Sequence, residues 1–342
     1  MENKKVLVNT ILIYGVLVFV FLFKLYHACL GNVLTCGDAN LPPSQFSQIR
    51  LLNNIRTNAI DLARRHFPSP HSELLIGMTV GTDLFRDLPI FKKMLSTTGT
   101  IHVVVVSGYN ISLLFNSVIK ILGTKYKLKY LLIAFSATFF YALLSGFEPP
   151  VIRAWVMGVI IAMGKYYGKG IDGLKVLLFS GLVILIIQPL YIYSLSFILS
   201  FMATLGLILY SEPFLKLFTR VFSSKSVLVE DFSTTMGVQL ILWPIISYKF
   251  GVIGLLSPLI NAIILWTVPL ITILGGIFLL FGAYVGNVLG PILFFPLELF
   301  TLVIEYFAKY EFITLDLQIS LNTLILYYVV LFVLTRVLVS KS

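Results

Sequence analysis

The sequence predicts an all-α polytopic membrane protein of about ten transmembrane helices, with amphipathic or interfacial helices between some of them. Three observations carry this. Of 342 residues, 58% are hydrophobic and only 12% charged, where a soluble domain carries about 25% charged residues. Mean hydropathy is +0.97. Charge-free windows long enough for a helix to cross about 30 Å of hydrocarbon recur along the chain. Lipid rather than water must therefore cover most of the surface, which excludes a soluble enzyme, a coiled coil and a disordered chain. The formal charge of +10 favours anions such as phosphate backbones or lipid headgroups, although basic loops also orient membrane proteins.

The windows define the crossings in order. Val6–Phe23 lacks a convincing small-residue cleavage site and reads as a retained first helix. Met94–Ile119, Tyr130–Phe147 and Val151–Gly164 follow. Val176–Ser211 is long enough for two spans hinged near Gln188-Pro189. Phe232–Tyr248 makes one more, Phe250–Leu297 crosses twice with Pro258 and Pro269 as breaks, and Leu317–Thr335 is the last. Pro291–Phe307 reads as interfacial or re-entrant. With this count Lys4/Lys5, Lys120/Lys125/Lys127/Lys129, Lys165/Lys169/Lys175, Lys216/Arg220/Lys225 and Arg336/Lys341 all fall on one side. By the positive-inside rule that side is the cytoplasm, with both termini in it.

Residues 26–100 form the large non-spanning region, outside. Ser44–Phe67 reads as an amphipathic helix whose stripe is Phe46, Ile49, Leu52, Ile55, Ala59, Ile60 and Ala63. Arg50, Arg56, Arg64 and Arg65 lie off that stripe. With Lys92 and Lys93 of a second amphipathic stretch (Asp83–Asp87 and Phe91–Leu95), they are the candidates for capture of an anionic partner at the surface. Cys29 and Cys36, the two cysteines of the chain, either close a small disulfide loop in an oxidising compartment or remain two unpaired thiols. With His27 they are too few for a zinc site, and no metal or cofactor is expected.

Polar groups inside apolar segments are costly and should face the protein interior or a water-filled path. His102 and the run Ser107-Gly108-Tyr109-Asn110 are such groups. No nucleophile elbow or helically spaced acid accompanies His102 and Ser107, so catalysis is not expected; a hydrogen-bonded packing role is the plainer reading of His102. In Glu148-Pro149-Pro150-Val151-Ile152-Arg153-Ala154 the prolines can start a helix. Arg153 then sits near a helix N-terminus, where the dipole disfavours a cation. The compensating anion is Glu148, a lipid phosphate or an anionic substrate, with the local Glu148–Arg153 pair slightly favoured by the residues alone. Gly77/Gly81 and Gly282/Gly286/Gly290 repeat the small-residue spacing that lets helices approach closely.

The linear order of these features resembles the membrane domain of the ComEC family, the channel for DNA entry in natural transformation. Four blocks carry the resemblance: Glu73-Leu-Leu-Ile-Gly77-Met-Thr-Val-Gly81 through Thr98-Gly99, His102 and Val106-Ser107-Gly108-Tyr109-Asn110; Tyr141-Ala-Leu-Leu-Ser-Gly146-Phe147 with Pro150-Val-Ile-Arg153-Ala154 and Met157; Gln188-Pro189-Leu190 with Ser196–Gly206; and Gln239…Pro244, Phe250-Gly251, Ser257-Pro258-Leu-Ile-Asn261 and Pro269. Asn110 stands where the family usually has a second His, and Ile198 replaces a usual Gln.

The resemblance implies residues 1–25 as a first transmembrane helix, 26–72 as an extracytoplasmic loop with its amphipathic helix, and 73–339 as the competence-type transmembrane domain. It implies no enzyme activity but a passive inner-membrane channel component for single-stranded DNA. Its path would be lined by His102, Ser107, Asn110, Glu148, Arg153, Ser200, Gln239 and Asn261. The family's metallo-β-lactamase-like domain is expected to be absent, which makes a separate nuclease a partner. Further expected partners are an extracytoplasmic DNA receptor or pilus, a cytoplasmic ATPase or helicase, and a second copy in a homo-oligomer. The alternative is a secondary transporter of a small anionic solute with a midplane site at broken helices.

Overall fold

The computed structural model describes residues 15–25, 50–82, 84–104, 108–123, 127–222, 226–310 and 314–339. Among these the architecture is helical: α1 (Gly15–Leu25), α2 (Arg50–His66), α3 (His71–Thr79), α4 (Pro89–Thr97), α5 (Ile101–Val104), α6 (Gly108–Leu122), α7 (Leu128–Leu144), α8 (Pro149–Tyr166), α9 (Gly173–Ile187), α10 (Leu195–Phe222), α11 (Val227–Phe250), α12 (Ser257–Ile264), α13 (Thr267–Ala308) and α14 (Leu321–Val339). Strands β1 (Val252–Gly254) and β2 (Thr314–Asp316) pair antiparallel with Ile253 opposite Leu315. The chain divides into two compact units. The first is Met1–Asp87, His102–Phe201 and Thr267–Glu298; the second is Leu88–Ile101, Met202–Trp266 and Leu299–Ser342.

By length and composition, Leu195–Val221 and Gly286–Ala308 can each cross a membrane, and Ser257–Ile264 with Thr267–Gly282 makes a third if the bent pair is one span. Other expected crossings fall on the shorter apolar helices Gly15–Leu25, Leu128–Leu144, Gly173–Ile187 and Leu321–Thr335, while Val151–Gly164 and Phe232–Tyr248 fall on α8 and α11, which are not among the candidate spans. Two expectations change. Pro291–Phe307, expected to be interfacial or re-entrant, lies inside Gly286–Ala308, a helix long and apolar enough to cross a membrane, because prolines such as Pro291 and Pro296 are tolerated within apolar helices. Met94–Ile119 is not one continuous helix: it is broken into α4, α5 and α6. At the first break Gly99 adopts φ +70°, and the Thr98 hydroxyl donates to the Met94 carbonyl at 2.8 Å. Side-chain bonds of this kind compete with helix propagation.

In the first unit the short helix α3 is buried along its whole length. Helix α2 packs on it and buries Leu52, Ala59 and Ala63, while Ile55 of the expected stripe is exposed; Phe67, just past α2, meets Phe278 edge to face at 5.2 Å. The glycines of α13 act as the spacing predicted. A Cβ on Gly282 would lie 2.8 Å from Leu62, one on Gly286 2.8 Å from His66, and one on Gly275 2.5 Å from Leu75. Gly290 faces open space. Helices α6, α7 and α8 run antiparallel in turn and pack together. One end of the group buries Ile119, Leu131, Ala134 and Ala162, and the other Ile111, Tyr141, Ala142, Val151 and Ala154.

In the second unit α10 and α11 meet at two glycines, since a Cβ on Gly206 would stand 2.7 Å from the Gly237 carbonyl oxygen. Pro244 lies inside α11 and has no N–H, so the carbonyl of Leu240 loses its helical donor. The hydroxyl of Tyr327 on α14 donates to that carbonyl at 2.8 Å, and Tyr328 donates to the neighbouring Ile241 carbonyl at 2.6 Å. Helix α11 ends at Gly251 with φ +71° and leads into β1; the Ser247 hydroxyl donates to the Leu317 carbonyl just beyond β2. Tyr327→Phe keeps the ring and removes the donor. It should lower stability by about 1 kcal/mol, read as an earlier thermal transition of the detergent-solubilised protein, while Tyr306→Phe, an exposed tyrosine, should leave it unchanged.

Candidate functional site

Helix α3 stops where Gly81 turns to φ +87°, with both Val80 and Gly81 donating to the Ile76 carbonyl. The carbonyl of Met78, one residue from the end, is left without a helical donor. In apolar surroundings it must be met by a side chain. Asn110 Nδ2 donates to it at 3.0 Å and the Tyr141 hydroxyl at 3.4 Å, and the same amide reaches the Tyr141 oxygen at 3.4 Å. Asn110, in the first turn of α6, is 0% exposed and Tyr141, in the last turn of α7, 8%. One carbonyl thereby ties α3, α6 and α7 together.

Two residues before Asn110, Gly108 opens α6 against α8. A Cβ there would lie 2.6 Å from Arg153 Nη2, 2.8 Å from Ala154 Cβ and 3.1 Å from the Pro150 carbonyl oxygen. Only a glycine lets the guanidinium lie flat across the start of α6. Arg153 Nε is buried and has no hydrogen-bond partner among the described residues. An unpaired buried donor costs about 1–3 kcal/mol, and more when the group is charged. The favoured Glu148–Arg153 pair is not formed: Glu148 is exposed at the N-cap of α8, and no ion pair among the described residues joins the two. The guanidinium instead occupies the gap that Gly108 leaves at the start of α6.

The remaining expected residues scatter. His102 lies in α5, but its side chain falls outside the described residues, as do Ser107, Cys29 and Cys36. Ser200 is buried on α10. In the second unit Gln239 on α11 and Asn261 on α12 are 4% and 1% exposed, and Gln239 Oε1 and both amide atoms of Asn261 have no partner among the described residues. Helices α11 and α12 pack on one another.

Of the surface cations, Arg65 and Lys93 are exposed and Lys92 is half-buried. Arg64, half exposed, lies 3.7 Å from the buried carboxylate of Glu73. Arg56 is not a free surface cation. Its Nε and Nη2 donate to the Leu144 carbonyl at 2.9 and 2.6 Å, where the C-terminus of α7 attracts positive charge. Arg50 opens α2 with its side chain outside the described residues.

Two groups escaped the sequence reading as working parts. Tyr141 stood in a quoted block without a role, although a hydroxyl in the last turn of an apolar helix needs a partner. Trp155, which donates to the Phe135 carbonyl at 3.3 Å, carried no signal beyond its size.

Comparison with known proteins adds the following. A family model described as Competence protein matches residues 89–341. An uncharacterized protein of Aquifex aeolicus is 30% identical over 184 residues, 50% of this chain and 44% of its own. ComE operon protein 3 of Bacillus subtilis is 24% identical over 215 residues, 61% of this chain and 26% of its own. The uncharacterized protein YcaI of Escherichia coli is 27% identical over 235 residues, 66% of this chain and 30% of its own. Each match thus covers less than half the length of the relative. No solved structure matches the chain.

Gly108→Ala should destabilise the protein by about 1–3 kcal/mol, because the methyl meets both the guanidinium and the rigid Ala154 Cβ. Gly158→Ala on α8, where a Cβ meets nothing within 4 Å, should be neutral. Thermal unfolding of the two variants in the same detergent checks the contrast.

Proposed function

The chain belongs to the competence-protein family, and from that premise we propose that it is a multi-pass inner-membrane channel component through which single-stranded DNA enters the cell. The observation that carries the proposal is Arg153: a cation held near a helix N-terminus, with a buried donor that no described residue meets. Arginine stays charged and can fork two hydrogen bonds onto a phosphate, so it suits a strand presenting one phosphate after another. Asn110 lies two residues beyond Gly108 on α6; the second unit, taken by itself, holds buried amide atoms of Gln239 and Asn261 with no partner among the described residues. His102, Ser107, Glu148 and Ser200 complete the proposed lining.

In this reading the protein is a conduit and not an enzyme. An outside receptor or pilus delivers the strand, a cytoplasmic ATPase pulls it, and a separate nuclease removes the complementary strand. The ten-crossing topology with both termini inside is part of the proposal. It is supported by the ends of three helices: Lys24, closing α1, donates to the Ile186 carbonyl at the end of α9 at 3.0 Å, and Arg56 meets the end of α7. All three ends are expected outside. Surface capture is assigned to Arg65 and Lys93, with Arg64 partly engaged by Glu73.

Arg153→Ala should block internalisation of labelled DNA while surface binding persists. The double swap Glu148→Arg with Arg153→Glu should not restore uptake; restoration would make the two a structural pair and remove the phosphate role. Capture should weaken with salt, with a log–log slope of about −0.7 per phosphate contact, and Arg65→Ala should flatten that slope by one contact. Reporter fusions should place residues 60 and 191 outside and residues 127 and 168 inside. Loss of small-anion uptake with intact DNA uptake in Arg153→Ala would favour a solute transporter instead.

A further inference from the structure

Helices α6, α7 and α8 enclose a cleft of about 210 Å³ that lies in the first unit and apart from the contacts of Met78. Along α8 its lining runs from Ala154 to Lys165, about 16 Å at 1.5 Å per residue. That is half of the roughly 30 Å hydrocarbon core, the depth of one leaflet. Its walls are apolar in effect. Phe115 and Phe135 stack at 5.5 Å between ring centres, and Trp155 lends its N–H to the Phe135 carbonyl. The hydroxyls of Thr138 and Ser112 bond back to the carbonyls of their own helices, Ala134 at 2.8 Å and Gly108 at 3.4 Å. Asn116 is the remaining polar neutral side chain of the lining. Gly158 keeps the cleft open, since a Cβ there would meet nothing within 4 Å.

Charge is confined to one end. Lys165 lines the cleft in the last turn of α8. Lys120 stands in the last turn of α6, and Lys127 and Lys129, both exposed, flank the start of α7. The antiparallel run of the three helices brings these termini together, as the shared burial of Ile119, Leu131 and Ala162 requires.

We propose that this cleft is a binding site for one anionic phospholipid, with an acyl chain along Phe115, Phe135, Trp155 and Gly158 and the headgroup phosphate at Lys165, Lys120 and Lys129. A slot of one leaflet's depth, apolar along its length and basic at its mouth, matches an acyl chain capped by a phosphate. A nucleic acid strand carries its charges at every step and would leave them unmet along these walls. Basic pockets between helices on the cytoplasmic side are the usual setting for such lipids, and the positive-inside rule puts this end there.

The three tryptophans of the chain are Trp155, Trp243 and Trp266, so a variant with Trp243→Phe and Trp266→Phe reports on the cleft through Trp155. Reconstituted in phosphatidylcholine nanodiscs, its fluorescence should be quenched more by phosphatidylglycerol with brominated acyl chains than by equally brominated phosphatidylcholine. Lys165→Ala should weaken the excess quenching about fivefold, the value of one lysine near an anionic headgroup. Gly158→Phe should fill the slot and abolish the excess. Equal quenching by the two lipids, or an excess that survives Lys165→Ala, overturns the proposal. So does displacement of the phosphatidylglycerol by a single-stranded oligonucleotide, which would assign the cleft to the DNA path. Because Lys165 is exposed, that variant folds irrespective of whether phenylalanine fits at position 158.

Discussion

The carbonyl oxygen of Met78 imposes the condition around which the first unit is arranged. It belongs to the last turn of a helix that is buried on every side, so neither a following N–H nor water can satisfy it. An unmet carbonyl in such surroundings costs several kcal/mol. Asn110 and Tyr141 must reach it from two further helices, and that requirement holds the start of α6 beside the end of α7. With α6 held there, Gly108 is pressed against α8, and only the missing Cβ leaves room for the Arg153 guanidinium. The placement of the arginine is thus a consequence of satisfying a main-chain oxygen in α3.

The second unit solves a similar problem with different residues. Pro244 removes a donor from α11, and two tyrosines of α14 supply hydroxyls at the carbonyls where the helix is weakened. In both units the main chain is met by side chains from neighbouring helices. Against that background, buried polar side-chain atoms with no partner among the described residues stand out, among them Arg153 Nε, Gln239 Oε1 and the amide of Asn261. A chain that meets its carbonyls so consistently has a reason to leave these groups for something else. In the proposed function that something is a passing phosphate and its water.

The glycines show the same economy of contact. Gly282 and Gly286 receive Leu62 and His66 of α2, and Gly206 meets the main chain at Gly237. Such approaches replace the hydrophobic driving force that lipid takes away, since hydrocarbon solvates leucine as well as another leucine does. Gly158 departs from this pattern, for its missing side chain leaves an open slot and no helix contact.

Composition and the spacing of charges determined that the chain is helical and apolar, because a helix satisfies its backbone within one segment and the charges must sit at its ends. The ordered blocks around Glu73, Arg153, Ser196 and Gln239 determined the family. Glycine spacing marked Gly282 and Gly286 as positions of close approach without naming α2 as their partner, and Gly290 makes no such approach. The sequence could not show which helix breaks become crossings, since the Thr98-Gly99-Thr100 break depends on local hydroxyl bonds while Pro291 is absorbed inside α13. Nor could it pair Arg153. Glu148 is near in sequence, but the gap that Gly108 leaves on another helix receives the guanidinium. Arg56 likewise reads as a surface cation until the end of α7 is placed beside it. Partners of this kind belong to different helices far apart along the chain, so periodicity can name the groups that need a partner while only the tertiary structure selects the partner.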